Sequence, residues 1–182
     1  MTTWGTERHF KYFLPRLLEL AENNYLELDF PEVLLSKLRH AQWQTWPTHE
    51  QDIIGRYLRA FWLNSINCNG NFPTDERIRI VLGGLAEACT KIADYLVLWG
   101  TSDTVNAAMH CAQFIHDYAD EIMTTGMIVL WSKSSSQSSE LVAWISSDQA
   151  LRLLNAFHDT ITIKFPLVFA QHQGIRSATS TR

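Results

Sequence analysis

The chain has 182 residues, of which 46% are hydrophobic and 19% charged, a composition typical of a globular domain and not of a disordered chain. Fifteen basic and nineteen acidic residues give a net charge of -4, which argues against the basic surface that binds nucleic acid. Residues 1–9 hold no apolar signal core and no apolar run approaches the ~18 residues of a membrane span, so we expect a cytoplasmic protein without a membrane partner. We expect one helical domain over residues 1–172 and a flexible tail over 173–182.

The first pattern in the chain is an amphipathic helix that begins near Thr6 and contains Pro15. Because proline lacks an N–H and crowds the preceding turn, either the helix kinks there or a new helix opens with Pro15 at its first position. Phe30 and Pro31 begin a second, shorter helix that ends near His40. Two helices are therefore predicted before the first aromatic connection.

The next helix opens at Thr48, which has the spacing of a capping box with Gln51. In the helix after it, Gly83 and Gly84 would each weaken the helix by ~1 kcal/mol relative to alanine. Such glycines indicate a close approach to a neighbouring helix. A short helix follows over residues 91–98.

The longest amphipathic pattern covers residues 102–123, with Ser102 as its predicted cap. It carries the densest group of titratable side chains in the chain: His110, His116, Asp117, Asp120 and Glu121. Beyond it we predict a low-complexity loop over 132–139, a short helix over 140–145 and one last helix that opens at Ser146.

No two neighbouring strand patterns occur, so the sequence predicts an all-α fold, an irregular bundle of about seven or eight helices. Phe30-Pro31 and Phe72-Pro73 lie 42 residues apart, each ahead of a helix. A period of ~40–47 residues is that of HEAT-like helix pairs, which are the alternative arrangement.

The cysteines are odd in number and show no Cys-x-x-Cys spacing. We therefore expect Cys68, Cys89 and Cys111 to be free thiols in a reducing cytoplasm. Cys111 lies near His110 and His116 in sequence, but its place beside an apolar stripe predicts a buried, inert thiol. No nucleophile elbow, phosphate-binding glycine loop or zinc spacing is present, so no catalytic residue and no cofactor is assigned.

Two His-Asp doublets, His116-Asp117 and His158-Asp159, form the strongest chemical pattern. Helical metal-dependent phosphohydrolases of the HD superfamily use such a doublet with an additional His and Asp to hold a divalent metal that activates water. The additional ligand could come from one of three other histidines: His40, His49 and His110. The doublets lie inside ordinary amphipathic patterns, however, without the expected upstream His or downstream Asp. The favoured interpretation is that they are partly exposed helix positions without a metal.

Trp43 and Trp46 flank a connection between helices. An indole there either plugs the gap between helices or faces a partner, and the plug is the favoured interpretation.

The run HFKYFLPRLLEL over residues 9–20, followed by Phe30-Pro31 and Trp46-Pro47, resembles the N-terminal third of a group of helical bacterial proteins. The similar part covers residues 4–63. That group has no role attached to it, so the resemblance implies a bacterial, soluble, helical protein and supplies no active-site residue.

These patterns together predict a non-enzymatic interaction module of adaptor or immunity-like type. It would bind a protein partner through an acidic surface that bears aromatic side chains, with Trp43 and Trp46 as candidates; self-association is left open. The alternative is a metal-dependent hydrolase that uses His116 and Asp117, with His110 and His158 as further candidate ligands. A third interpretation is a small-ligand pocket among the aromatic residues.

Overall fold

The computed structural model describes residues 6–22, 30–68, 74–128 and 135–181, in which every regular element is a helix. The elements are α1 Glu7–Glu22, α2 Phe30–His40, a 3-10 turn Trp43–Thr45, α3 Thr48–Asn67, α4 Thr74–Ala88, α5 Ala93–Gly100, α6 Val105–Thr125, α7 Ser135–Ile145, α8 Asp148–Ala156, α9 His158–Lys164 and α10 Val168–Ser180. The predicted all-α class is confirmed. None of these helices combines the length and apolar character needed to cross a lipid bilayer.

The predicted count of seven or eight helices is too low, because these same ranges contain ten. One last helix was expected after Ser146, but Phe157 leaves helical geometry at φ -129° and separates α8 from α9. Pro166 follows the end of α9, where proline cannot continue a helix. By contrast, α1 continues through Pro15 as one element.

The C-terminal tail predicted over 173–182 is instead helical through Ser180. Val168, His172 and Ile175 recur at helical spacing and are fully buried. Much of this face packs against α6. A Cβ on Gly174 would lie 2.6 Å from the Met123 Sδ, so the Met123 side chain fills the space beside this glycine. Tertiary packing therefore stabilises a segment whose small polar side chains predicted fraying.

The central helix α6 begins two residues later than its pattern predicted. Thr104, not Ser102, caps the helix, and its hydroxyl accepts a hydrogen bond from the Ala107 N–H at 3.3 Å. The hydroxyls of Ser102 and Thr104 both donate to the side-chain oxygen of Asn67, which ties the start of α6 to the end of α3. Gly126 ends α6 in the left-handed conformation, at φ 74°.

Aromatic residues form the centre of the continuous apolar core. The Trp99 ring stacks on Trp144 at 4.9 Å between centroids and meets the rings of Trp62 and Phe114 edge-on at 5.3 and 6.0 Å. Its indole N–H donates to the Ala107 carbonyl at 3.0 Å, so the ring is buried without an unsatisfied donor.

The most extensive contacts between helices join α2 to α4 and α6 to α10. At the first of these, a Cβ on Gly84 would lie 2.8 Å from Leu35 Cδ1 and 3.2 Å from the Glu32 Cα. The predicted close approach at Gly84 is confirmed.

Candidate functional site

A groove of about 460 Å³ separates α1 from α3. Its apolar lining comes from three residues of α1 and two of α3: Leu14, Pro15, Leu18, Ile53 and Ile54. The aromatic rings of Trp46 and Tyr57 complete this lining, and its charged residues are Lys11, Glu19, Glu22 and Glu50. The volume lies within the ~300–1,000 Å³ of clefts that bind ligands, and the mixture of an apolar lining with a few polar groups is typical of them.

Two polar contacts join the helices on either side of the groove. Lys11 Nζ lies 2.7 Å from Glu50 Oε2, and the Tyr57 hydroxyl donates to the Leu18 carbonyl at 2.9 Å. The second contact is seven residues beyond the first on both helices, so α1 and α3 run parallel. At ~1.5 Å per residue, the two contacts are separated by about 10 Å along the helix axes.

Trp46 lines the groove at the Lys11 end while being only 5% exposed. Its indole N–H donates to the Ala41 carbonyl at 2.9 Å, and Lys11 Nζ lies 4.2 Å from its ring centroid in a cation-π contact. Trp43 is half-buried and donates to the Ala88 carbonyl at 2.8 Å. Both indoles therefore fill the connection between helices, and only Trp46 lines the groove.

The surroundings of Lys11 and Tyr57 in the groove raise the pKa values of both side chains. The hydrogen bond from Lys11 to Glu50 raises the pKa of the lysine, assisted by Glu7 and opposed by partial desolvation. Burial raises the pKa of Tyr57, and the nearby charge of Glu22 adds to that effect. At neutral pH, Lys11 is therefore an ammonium and Tyr57 a neutral phenol.

His116 and Asp117, the predicted centre of the metal site, are exposed on α6. The His116 ring packs on Phe165 at 5.7 Å between centroids. The Asp117 carboxylate accepts from the Gln113 amide at 2.8 Å, a contact one helical turn away. Each therefore makes an ordinary surface contact of an amphipathic helix.

The other candidate ligands lie elsewhere. His110 is buried in α6, whereas His158 is exposed, packs on Phe169 at 4.7 Å and lies 3.3 Å from the Asp159 carboxylate. His40 and His49 are exposed on α2 and α3. Across the four described ranges, no group of three or more His, Cys, Asp or Glu side chains is placed to hold a metal ion.

Most residues of the groove were not singled out from the sequence, although Trp46 was. The sequence signal that could have found them is Pro15 inside an apolar stripe of α1. The exposure of Ile53, at 54%, is visible only in the structure. Comparisons of the chain with protein-family models, curated proteins and solved structures find no match. Fold and site together define an all-helical protein with an apolar groove between two parallel helices.

Proposed function

We propose that the chain is a helical protein-interaction module, of adaptor or immunity-like type, that binds a protein partner through the α1/α3 groove. The observation that carries this proposal is the groove itself, in which Ile53 remains 54% exposed above the buried side chains of Leu14 and Ile54. Exposed apolar surface with a polar rim is characteristic of surfaces that a partner covers, because covering it removes apolar area from water.

The arrangement of the first four helices supports a HEAT-like framework for this surface. The helices α1 and α3 run parallel, and α2 packs along α4, as corresponding helices do when two helix pairs stack. The 42-residue interval between Phe30-Pro31 and Phe72-Pro73 agrees with that period. In such stacks, successive pairs present corresponding helices side by side as a binding surface.

We propose a reducing bacterial cytoplasm as the location of this module. Cys68, Cys89 and Cys111 are all free thiols, which supports such a compartment.

The groove is tested by comparing two charge substitutions at exposed isoleucines, Ile53→Glu in the groove and Ile163→Glu on α9. Both side chains are exposed, at 54% and 86%, so both variants should fold. Affinity-tagged wild-type protein and the two variants would be used to recover partners from the host, with a photo-crosslinking residue at position 53 in a fourth sample. Helical content measured by circular dichroism is the folding control.

We expect a stoichiometric partner that crosslinks at position 53, is lost with Ile53→Glu and is retained with Ile163→Glu. Placing a carboxylate in an apolar contact leaves a charge without water or a counter-ion, so the complex should weaken severely. Recovery of no stoichiometric partner, or of one that only Ile163→Glu releases, would overturn the proposal.

A further inference from the structure

The groove between α1 and α3 has the length of a short helical segment. It extends at least from the Lys11–Glu50 contact to the Tyr57–Leu18 contact, about 10 Å or two helical turns. A helix that lies in a groove between helices places apolar anchors at positions i, i+3 or i+4, and i+7, which span the same two turns. The dimensions therefore match one apolar helix face better than a folded domain surface.

The side-chain donors that line the groove are already used within the protein. Lys11 Nζ contacts Glu50 at 2.7 Å and Glu7 at 3.4 Å. The Tyr57 hydroxyl donates to the Leu18 carbonyl, and the Trp46 indole donates to the Ala41 carbonyl. An occupant that presents carboxylates would meet few donors in this groove.

Carboxylates outnumber ammonium groups along the groove. Its charged lining residues are one lysine and three glutamates: Lys11, Glu19, Glu22 and Glu50. Glu19 pairs with Arg16 at 2.8 Å, but both side chains are more than half exposed, so water weakens this ion pair and a new cation can compete for Glu19. Glu19 and Glu22 lie on one helix a turn apart, toward the C-terminal end of the groove.

Pro15 lies inside α1 and also lines the groove. Proline has no N–H, so it cannot donate to the carbonyl of Lys11, the residue four positions earlier. Both residues line the groove. The lining thus offers carboxylates to an occupant that supplies N–H donors.

We infer that the occupant of the α1/α3 groove is an amphipathic helix of the partner, with an apolar face against Ile53 and Leu14 and Lys or Arg side chains beside Glu19 and Glu22. This inference rests on the proposed function and names its partner chemistry. Lysine and arginine carry donors and no acceptor, so they complement a groove whose own donors are occupied. Opposite charges at the rim would also accelerate association and favour basic over acidic segments.

The test uses the full chain and two synthetic peptides of about 18 residues, or five helical turns. Both carry the same leucine face, and their polar faces carry lysine in one and glutamate in the other. Binding is measured by calorimetry and by the methyl NMR shifts of Ile53 and Ile54. We expect the lysine peptide to bind at least about tenfold more tightly, and this preference to shrink in concentrated salt.

A matched pair of double variants separates the groove from general charge attraction. Glu19→Gln with Glu22→Gln should remove most of the preference for lysine. Asp120→Asn with Asp159→Asn removes the same charge from exposed positions outside the groove and should preserve it. If both double variants lose the preference for the lysine peptide equally, that preference arises from net charge alone and the inference is overturned.

Other occupants give different results. Equal binding of both peptides at Ile53 would overturn the basic partner while leaving the groove as a protein-binding surface. Binding of dodecylamine but of neither peptide would indicate a small-ligand site. A dimer in sedimentation that Ile53→Glu dissociates would indicate that a second copy of the chain occupies the groove. Either outcome overturns the inference. The partner recovery with Ile53→Glu judges the proposed function separately, because it does not depend on peptide charge.

Discussion

Lys11 of α1 and Glu50 of α3 form an ion pair of 2.7 Å, with side chains only 28% and 34% exposed, at one end of the groove. The two residues are 39 positions apart in sequence, so the pair joins two helices that are not consecutive in the chain. Lys11 also lies over the ring of Trp46, so the ion pair is next to the apolar lining of the groove.

Replacing Glu50 with Gln should lower the pKa of Lys11 toward its ordinary value, since the hydrogen bond to Glu50 is the largest cause of its increase. Carbon-13 NMR of the lysine side chain during a pH titration measures the change. A raised pKa means that the ion pair stabilises the fold below about pH 10.4, the usual lysine value. That stabilisation is lost as the pH rises through the raised value. Glu19→Gln is the control, and an unchanged Lys11 titration in Glu50→Gln would contradict the assignment.

The helix contact at Gly84 should not tolerate a methyl group. In Gly84→Ala, the new Cβ would lie 2.8 Å from Leu35 Cδ1 and 3.1 Å from its Cβ, so the Leu35 side chain must shift or α2 and α4 must move apart. Overpacking costs ~1–3 kcal/mol and the gain in helix propensity offsets ~1, so we expect a net loss of up to about 2 kcal/mol in the free energy of unfolding by urea.

Gly55→Ala is the matched control for that substitution. Position 55 is also inside a helix, but no atom lies within 4 Å of an added Cβ. There the gain in propensity is not opposed, and the protein should become about 0.4–1 kcal/mol more stable. Similar effects of the two substitutions would disprove the close contact between α2 and α4.

Buried His172 should make the fold sensitive to acid. Burial lowers the pKa of His172 and the charge of Arg176 adds to this, although the carbonyls of Ile145 and Ser147 and the carboxylate of Asp148 favour protonation. The two carbonyls lie close to the ring without reaching hydrogen-bond geometry. A lowered pKa means that the unfolded chain takes up a proton first, so stability present above about pH 6.5 declines as the pH falls toward the folded-state pKa.

Urea unfolding at pH 7.5 and at pH 5.5 measures this slope. His172→Leu should unfold with a smaller difference between the two pH values than the wild type, whatever its absolute stability. His49→Gln, at an exposed position, should retain the full difference. An unaltered slope in His172→Leu would assign the acid sensitivity to another group.

Cys111 should be unreactive until the protein unfolds. It is fully buried, and burial raises the pKa of its thiol to about 12, so almost no thiolate forms at neutral pH. Titration with a disulfide reagent should modify it only in denaturant. Cys111→Ala should reduce the denatured total by one thiol and leave the labelling of the native protein unchanged; loss of a native labelling phase would contradict this prediction.

The sequence could predict the features that depend on apolar residues at helical spacing. The apolar stripe of residues 102–123 indicated a long helix, and the place of Cys111 beside that stripe indicated a buried thiol, because one face of an amphipathic helix must leave water. Gly84 indicated a close helix contact because a missing side chain in a helix interior is otherwise costly. These inferences need only local spacing.

The groove and the last helix depend on pairings that local spacing does not specify. Leu18 contacts Tyr57, which lies 39 residues later in the chain. This contact and the groove between α1 and α3 both depend on how the two helices pack against their neighbours. The second half of α10 has mostly small and polar side chains, but Ile175 is buried and the helix packs against α6, which stabilises it. Periodicity determined by itself that apolar faces exist on these helices. Tertiary structure decided which faces cover one another and which remain open, because burial depends on partners distant in the chain.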